Sequence, residues 1–62
     1  MVQMERQLLR VEEAADLLAI SRSRAYELIA GGDLASVQIG RSRRVPAAAV
    51  EAFVRSRVEE SL

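Results

Sequence analysis

Two short runs in this sequence place guanidinium groups where they can hold anions. The first is Ser21-Arg22-Ser23-Arg24, followed closely by Tyr26 and Glu27, and the second is Gly40-Arg41-Ser42-Arg43-Arg44. Each Arg presents N–H donors in a planar fork that fits a phosphate or the O6 and N7 edge of guanine. Bond-making chemistry has little to work with. The chain has no Cys, which excludes disulfides and thiolate metal sites, and no His, which removes the other common metal ligand. It also lacks a glycine-rich phosphate loop and a clustered acid pair in a pocket-forming context. No catalytic residue, metal or cofactor is expected, and the chemistry on offer is recognition.

The residue types in the first run carry specific expectations. Ser21 is a helix N-cap, so Arg22 and Arg24 fall in the first turn of a helix. Cations there oppose the macrodipole at a cost of about 0.3–1 kcal/mol each, so stability does not account for them. Beside phosphate or guanine the sign reverses, because the free N–H groups and the Arg attract the same anion. Ser23 can touch a phosphate or a base. Glu27 can accept from a cytosine amino group or pair with Arg24 or Arg22, and Tyr26 can donate to the DNA backbone or tuck against the turn. In the second run, three Arg within four residues at a glycine-bearing turn suit phosphates or a narrow minor groove. The same charges would also serve as guards of a short sheet edge.

Total charge does not announce a nucleic-acid partner, since nine basic residues balance nine acidic ones. Distribution is more telling. Between positions 22 and 44 the five residues Arg22, Arg24, Arg41, Arg43 and Arg44 stand against Glu27 and Asp33 alone, while Glu5, Glu12, Glu13, Asp16, Glu51, Glu59 and Glu60 lie outside. The middle is basic and the ends are acidic. Every basic residue is Arg, which bidentate hydrogen bonding and GC-rich coding explain equally well.

The elements that must position these groups follow from periodicity. Val11, Ala14, Ala15 and Leu18 lie at i, i+3, i+4 and i+7, one buried stripe of a helix with Glu12, Glu13 and Asp16 in water. A second helix runs from about Arg22 to Ala30, with Ala25, Leu28 and Ile29 inside and Ser23, Tyr26, Glu27 and Ala30 outside, and Gly31-Gly32 supplies a left-handed stop. Leu34 to Ile39 alternates as a half-buried strand with Val37 and Ile39 inward, Gly40-Arg41-Ser42 turns, and Arg43 to Val45 returns. Pro46 suits the first turn of a last helix that continues from Ala47 to about Glu59. Its apolar side is Val50, Phe53, Val54 and Val58, and its exposed row is Glu51, Arg55 and Glu59 with i, i+4 charge pairs, the whole packing across the first two helices. Residues 1–9 form a lead-in whose Leu8 and Leu9 dock on the core, and residues 10–60 form one domain, mainly α with a small β-hairpin. At 62 residues one domain is the maximum. No apolar stretch approaches the roughly 20 residues of a membrane helix and no signal-peptide pattern opens the chain, so a cytoplasmic location without membrane contact is expected.

A small residue at Ala15, a hydrophobic one at Ile20 after the turn, and Ala25 and Leu28 where two helices must interlock make the helix-turn-helix pattern. The string from Leu8 to Val54 resembles the excisionase-type, MerR-like winged helix-turn-helix domains of phages, plasmids and actinobacteria. EEAADLL matches the first helix, ISRSRAYELI the recognition helix, GGDL the following turn, VQIGRSRRV the wing and AVEAFV the packing helix. Two positions depart from the pattern: Val11 replaces a Thr or Ser cap, and Ala19 replaces the Gly of the turn, where a left-handed residue is needed.

The resemblance implies a winged helix-turn-helix of three helices and a two-stranded antiparallel hairpin, binding double-stranded DNA. Residues Ser21 to Glu27 would enter the major groove, and Arg41, Ser42, Arg43 and Arg44 would form the wing on the backbone or minor groove. It further implies a recombination directionality factor that binds repeated sites, bends DNA, associates head to tail with further copies and directs a site-specific integrase toward excision. A small transcriptional regulator using the same surface, or a protein-interaction adaptor whose basic patch meets an acidic partner, remains open at this level. The chain stops short of the dimerisation helix and effector domain of MerR regulators, so effector sensing is not expected.

Overall fold

A computed structural model of the chain describes residues 7–62, and the first six positions of the expected lead-in lie outside the described residues. The element order is β1 (Leu8–Arg10), α1 (Val11–Leu18), α2 (Arg22–Ala30), β2 (Val37–Ile39), β3 (Ser42–Pro46) and α3 (Ala47–Ser61). Three helices therefore pack with a three-stranded antiparallel sheet of order β1-β3-β2, the winged helix-turn-helix architecture expected, with one strand more than the hairpin.

The capping groups of α1 and α2 differ. The N-cap of α1 is Arg10, one residue before the expected Val11, and the Glu13 carboxylate accepts from the Arg10 backbone N–H at 2.8 Å, the acidic half of a capping box. Its end is a Schellman turn: Ala19 N–H donates to the Asp16 carbonyl at 3.1 Å and Ile20 N–H to the Ala15 carbonyl at 3.0 Å. Ala19 sits at φ 58, the left-handed conformation anticipated for that position, and it is the only described non-glycine residue there. Ser21 then caps α2, its Oγ accepting from the Arg24 N–H at 3.1 Å. A second Schellman turn closes α2 with Gly32 at φ 84, while Gly31 remains in right-handed helical geometry. One glycine, not two, makes the left-handed stop.

Register shows why the hairpin is shorter and less buried than its sequence suggests. Val37, Gln38 and Ile39 pair with Arg44, Arg43 and Ser42, which leaves Gly40-Arg41 as a two-residue loop and places Ser42 in the returning strand. Gly40 at φ 60 meets the demand of such a loop for a left-handed residue. Opposed residues share a face, so Val37 and Ile39 lie with Arg44 and Ser42 on the side away from Val45. Nothing covers that side among the described residues, and Val37 and Ile39 are 39% and 53% exposed. The alternation is real, but the expected inward face has no second layer. The buried apolar residue of this region is Leu34, before the strand, and residues 34–36 stay irregular.

On its other edge β3 pairs with β1, Leu9 opposite Val45 and Arg10 opposite Arg44. Leu9 is buried, whereas Leu8 faces out. Pro46 ends β3 as the N-cap of α3 instead of entering the helix, and Ala47 N–H donates to the Gln7 carbonyl at 2.9 Å, extending the strand pairing by one bond.

The core gathers a few side chains from each element: Leu9, Val11, Ala14, Ala15, Ala25, Leu34, Val45 and Val50, with Leu18, Ile20, Leu28, Ile29 and Phe53 packed around them. Alanines at 14, 15 and 25 let α1 and α2 cross closely. Burial of a Leu or Val side chain contributes about 1.5–3 kcal/mol, so Leu34 and Val45, the largest fully buried side chains, anchor the hairpin to the helices. The last helix packs on α1 and β3. Only its first half is held: Val50 is buried, while Val54 and Val58 are largely exposed, unlike the continuous stripe expected. Its ion pair is Arg57 with Glu60 at 3.2 Å, at i, i+3, and no bridge joins Glu51 or Glu59 to Arg55.

Candidate nucleic-acid interface

The outward face of α2 carries the first group of candidate residues together. Ser21, Arg22, Ser23, Arg24, Tyr26 and Glu27 are all exposed, and Ala25 behind them is fully buried. Because the helix is seated by Ala25, with Leu28 and Ile29 half-buried beside it, this face has a fixed orientation toward solvent. The Ser21 cap uses the Arg24 N–H and leaves the other first-turn N–H groups directed outward.

Neither arginine of α2 is unpartnered. Arg24 Nη1 donates to Glu27 Oε1 at 2.9 Å within the helix. Arg22 reaches across the turn, its Nε 3.3 Å from Glu12 Oε2 on α1, and its guanidinium lies 5.3 Å from the centre of the Tyr26 ring. These pairs offset the unfavourable position of two cations at a helix N-terminus. They are exposed and of the kind worth about 0.2–1 kcal/mol, so an incoming phosphate or base edge can compete for either Arg. Tyr26 is 41% exposed, a platform for Arg22 on the open face, with its ring neither fully buried nor free.

The hairpin holds the second group but divides it. Arg41 is at the tip, Arg43 lies on the same side as Val45, and Arg44 lies on the opposite side in a row with Val37 and Arg10. Arg43 Nη1 donates to Ser36 Oγ at 3.1 Å, and Arg44 Nη1 to the Arg43 carbonyl at 3.3 Å. No carboxylate meets Arg41, Arg43 or Arg44 among the described residues. Ser42 begins β3 opposite Ile39. No hydrogen bond or ion pair links this group to α2 among the described residues, so the two sets are separate projections of one small body.

Three residues with a bearing on the site escaped the sequence reading. Periodicity places Glu12 in water, and only the crossing of α1 and α2 brings it to Arg22. Arg10 becomes a neighbour of Arg44 through the pairing of β1 with β3, which a strand of three residues does not signal. Ser36, the partner of Arg43, is seven positions away, a spacing that only a known hairpin register makes meaningful.

No helix of the described residues is long and apolar enough to cross a membrane. No solved structure matches the chain. Among proteins of known description, a "Probable excisionase" of Saccharopolyspora erythraea is 48% identical over 48 residues, covering 77% of this chain and 49% of that protein, so the chain spans about half its length. An "Excisionase" of Streptomyces ambofaciens is 39% identical over 56 residues, 90% of each chain. A "Putative DNA-binding protein" of Mycobacterium tuberculosis is 46% identical over 48 residues, 77% of this chain and 62% of that one. Residues 8–58 match the model of the helix-turn-helix domain, from β1 through most of α3. The chain belongs to the excisionase-type helix-turn-helix DNA-binding family.

Proposed function

We propose that this protein binds double-stranded DNA at specific sites as an excisionase. In this reading α2 lies in the major groove with Ser21, Arg22, Ser23, Arg24, Tyr26 and Glu27, and Arg41, Ser42, Arg43 and Arg44 of the wing follow phosphates or the adjacent minor groove. Copies on repeated sites bend the DNA and turn a site-specific integrase toward excision. The observation that carries the reading is the alignment with the Streptomyces excisionase along 90% of both chains, with no large segment of either left over. The three wing arginines, which meet no carboxylate among the described residues, support it, because their charge is available to phosphates.

Bending a site by 40–90° costs about 1–6 kcal/mol, more than one small monomer readily supplies, so side-by-side copies are part of the proposal. Such contacts would be head to tail, joining different surfaces of successive copies. The test uses duplexes carrying an attachment-site arm at permuted positions, together with the cognate integrase. Position-dependent gel mobility and more excised product on adding the chain are expected. A straight, one-to-one complex that leaves recombination unchanged would overturn the excisionase role and favour a regulator that occludes a promoter.

A further inference from the structure

The carboxylate that meets Arg22 belongs to the neighbouring helix. Glu12 lies in the first turn of α1, and its Oε2 approaches Arg22 at Nε, 3.3 Å away. The Tyr26 ring takes one face of the same guanidinium. The two side chains of the ion pair are 63% and 55% exposed, so their attraction adds little to the stability of the fold. Its effect is on geometry. An arginine otherwise free to sample many rotamers is biased toward one in which an edge and a face are occupied, and its two terminal amino groups make no hydrogen bond within the described chain. Those amino groups can grip O6 and N7 of guanine together. Arg24 differs, because one of its terminal amino groups is already bound to Glu27.

We propose that Glu12 is a positioning residue for base reading. With Tyr26 it holds the Arg22 guanidinium so that the terminal amino edge addresses a guanine when α2 occupies the major groove. The inference rests on the DNA-binding reading above and adds to it a base class and a residue outside the recognition helix. A carboxylate at this place also discourages Arg22 from settling on any passing phosphate, so Glu12 works on the ratio of specific to random binding and leaves general affinity largely alone.

Asp16 supplies a control. It lies one turn along α1, is exposed, and its carboxylate makes no hydrogen bond or ion pair among the described residues. Asp16→Asn therefore changes the net charge as Glu12→Gln does, without touching Arg22. The probes are the duplex that the parent chain selects from a randomised library and a random duplex of equal length.

For Glu12→Gln the ratio of the two dissociation constants is expected to fall by about 3- to 10-fold, part of the discrimination a bidentate arginine can provide, with preference lost at one G·C pair. Binding to the random duplex holds steady or tightens slightly. In an Arg22→Ala background the same substitution changes the ratio by no more than about twofold, since coupled residues are not additive. An unchanged ratio in Glu12→Gln, an equal fall in Asp16→Asn, or an effect that persists without Arg22 overturns the role of Glu12. A parent chain that selects no duplex over random DNA overturns the reading of site-specific binding and this inference with it.

Discussion

The arginine-bearing surfaces of α2 and the hairpin are built on opposite electrostatic plans. On α2 each Arg has a carboxylate within 3.3 Å, Glu12 for Arg22 and Glu27 for Arg24. On the hairpin Arg41, Arg43 and Arg44 have none among the described residues and rest on neutral oxygens or in solvent. A surface whose charge is already matched gains little from an arbitrary phosphate and more from a partner of defined geometry. An unmatched surface attracts any phosphate. The difference suggests a division of labour on DNA: the hairpin supplies affinity and its salt dependence, and the helix supplies discrimination.

The strongest challenge to this contrast is to remove the hairpin charges together. Each phosphate contact contributes about 0.9 to the slope of log affinity against log salt, so Arg41→Ala, Arg43→Ala and Arg44→Ala combined should lower the slope by about 2.7. Random and selected duplexes should weaken by the same factor in titrations from low to moderate salt. If the triple variant loses affinity for the selected duplex alone, the hairpin reads sequence and the division fails.

The complementary substitution is Arg22→Ala. Loss of a bidentate base contact costs about 1–3 kcal/mol of discrimination against the wrong base pair, read as relaxed preference in a competition series over single base-pair changes. The salt slope should fall by no more than about one contact's share. Equal weakening on all duplexes would make Arg22 another phosphate contact and erase the distinction from the hairpin.

How far this contrast could be read from the sequence depends on which partners are local. The two helices, their inner faces and the Ser21 cap follow from spacing within a few residues, and so does the need for a left-handed residue at Ala19. The Arg24 pairing with Glu27 was among the local alternatives for the same reason. The Glu12 to Arg22 pair was not legible, because it forms across a turn whose geometry fixes which of three nearby acids arrives. The strand at Leu8–Arg10 carries no turn signal and only one buried residue, Leu9, so its identity comes from pairing with β3. Val37 and Ile39 show the converse. Their alternation was legible, but a period of two says that two faces differ and not that the apolar one will be covered.

A left-handed residue lies in the turn at the base of each surface, Gly40 at the hairpin and Ala19 before α2, and this tests whether the supports differ as the charges do. At the hairpin Gly40 has φ 60 and open space around its Cα, so a methyl group there meets strain from the backbone alone. Gly40→Ala should destabilise the domain by about 1 kcal/mol, lowering Tm by roughly 4–8 °C for a chain of this size. Because the tip is displaced, affinity for random duplex should decline with it while base preference holds. A change in preference would mean that the hairpin orients α2 on DNA.

At the other support the native residue is already the strained one. Ala19 holds φ 58 because the Ala15 and Asp16 carbonyls accept from the chain beyond and because Ile20 packs on the core, which together fix the turn between α1 and α2. The conformation costs an L residue more than glycine, while glycine has more unfolded-state freedom to lose. Ala19→Gly should therefore stabilise the chain by about 0.5–1 kcal/mol, measured by urea or thermal unfolding. Both hydrogen bonds of the turn use backbone groups, so the substitution keeps them and leaves α2 where it is. Discrimination between selected and random duplexes should then equal the parent's, separating the stability of the turn from the base reading proposed for Arg22. A more stable variant that discriminates less would show instead that the stiffness of an alanine at this turn helps to aim the recognition helix.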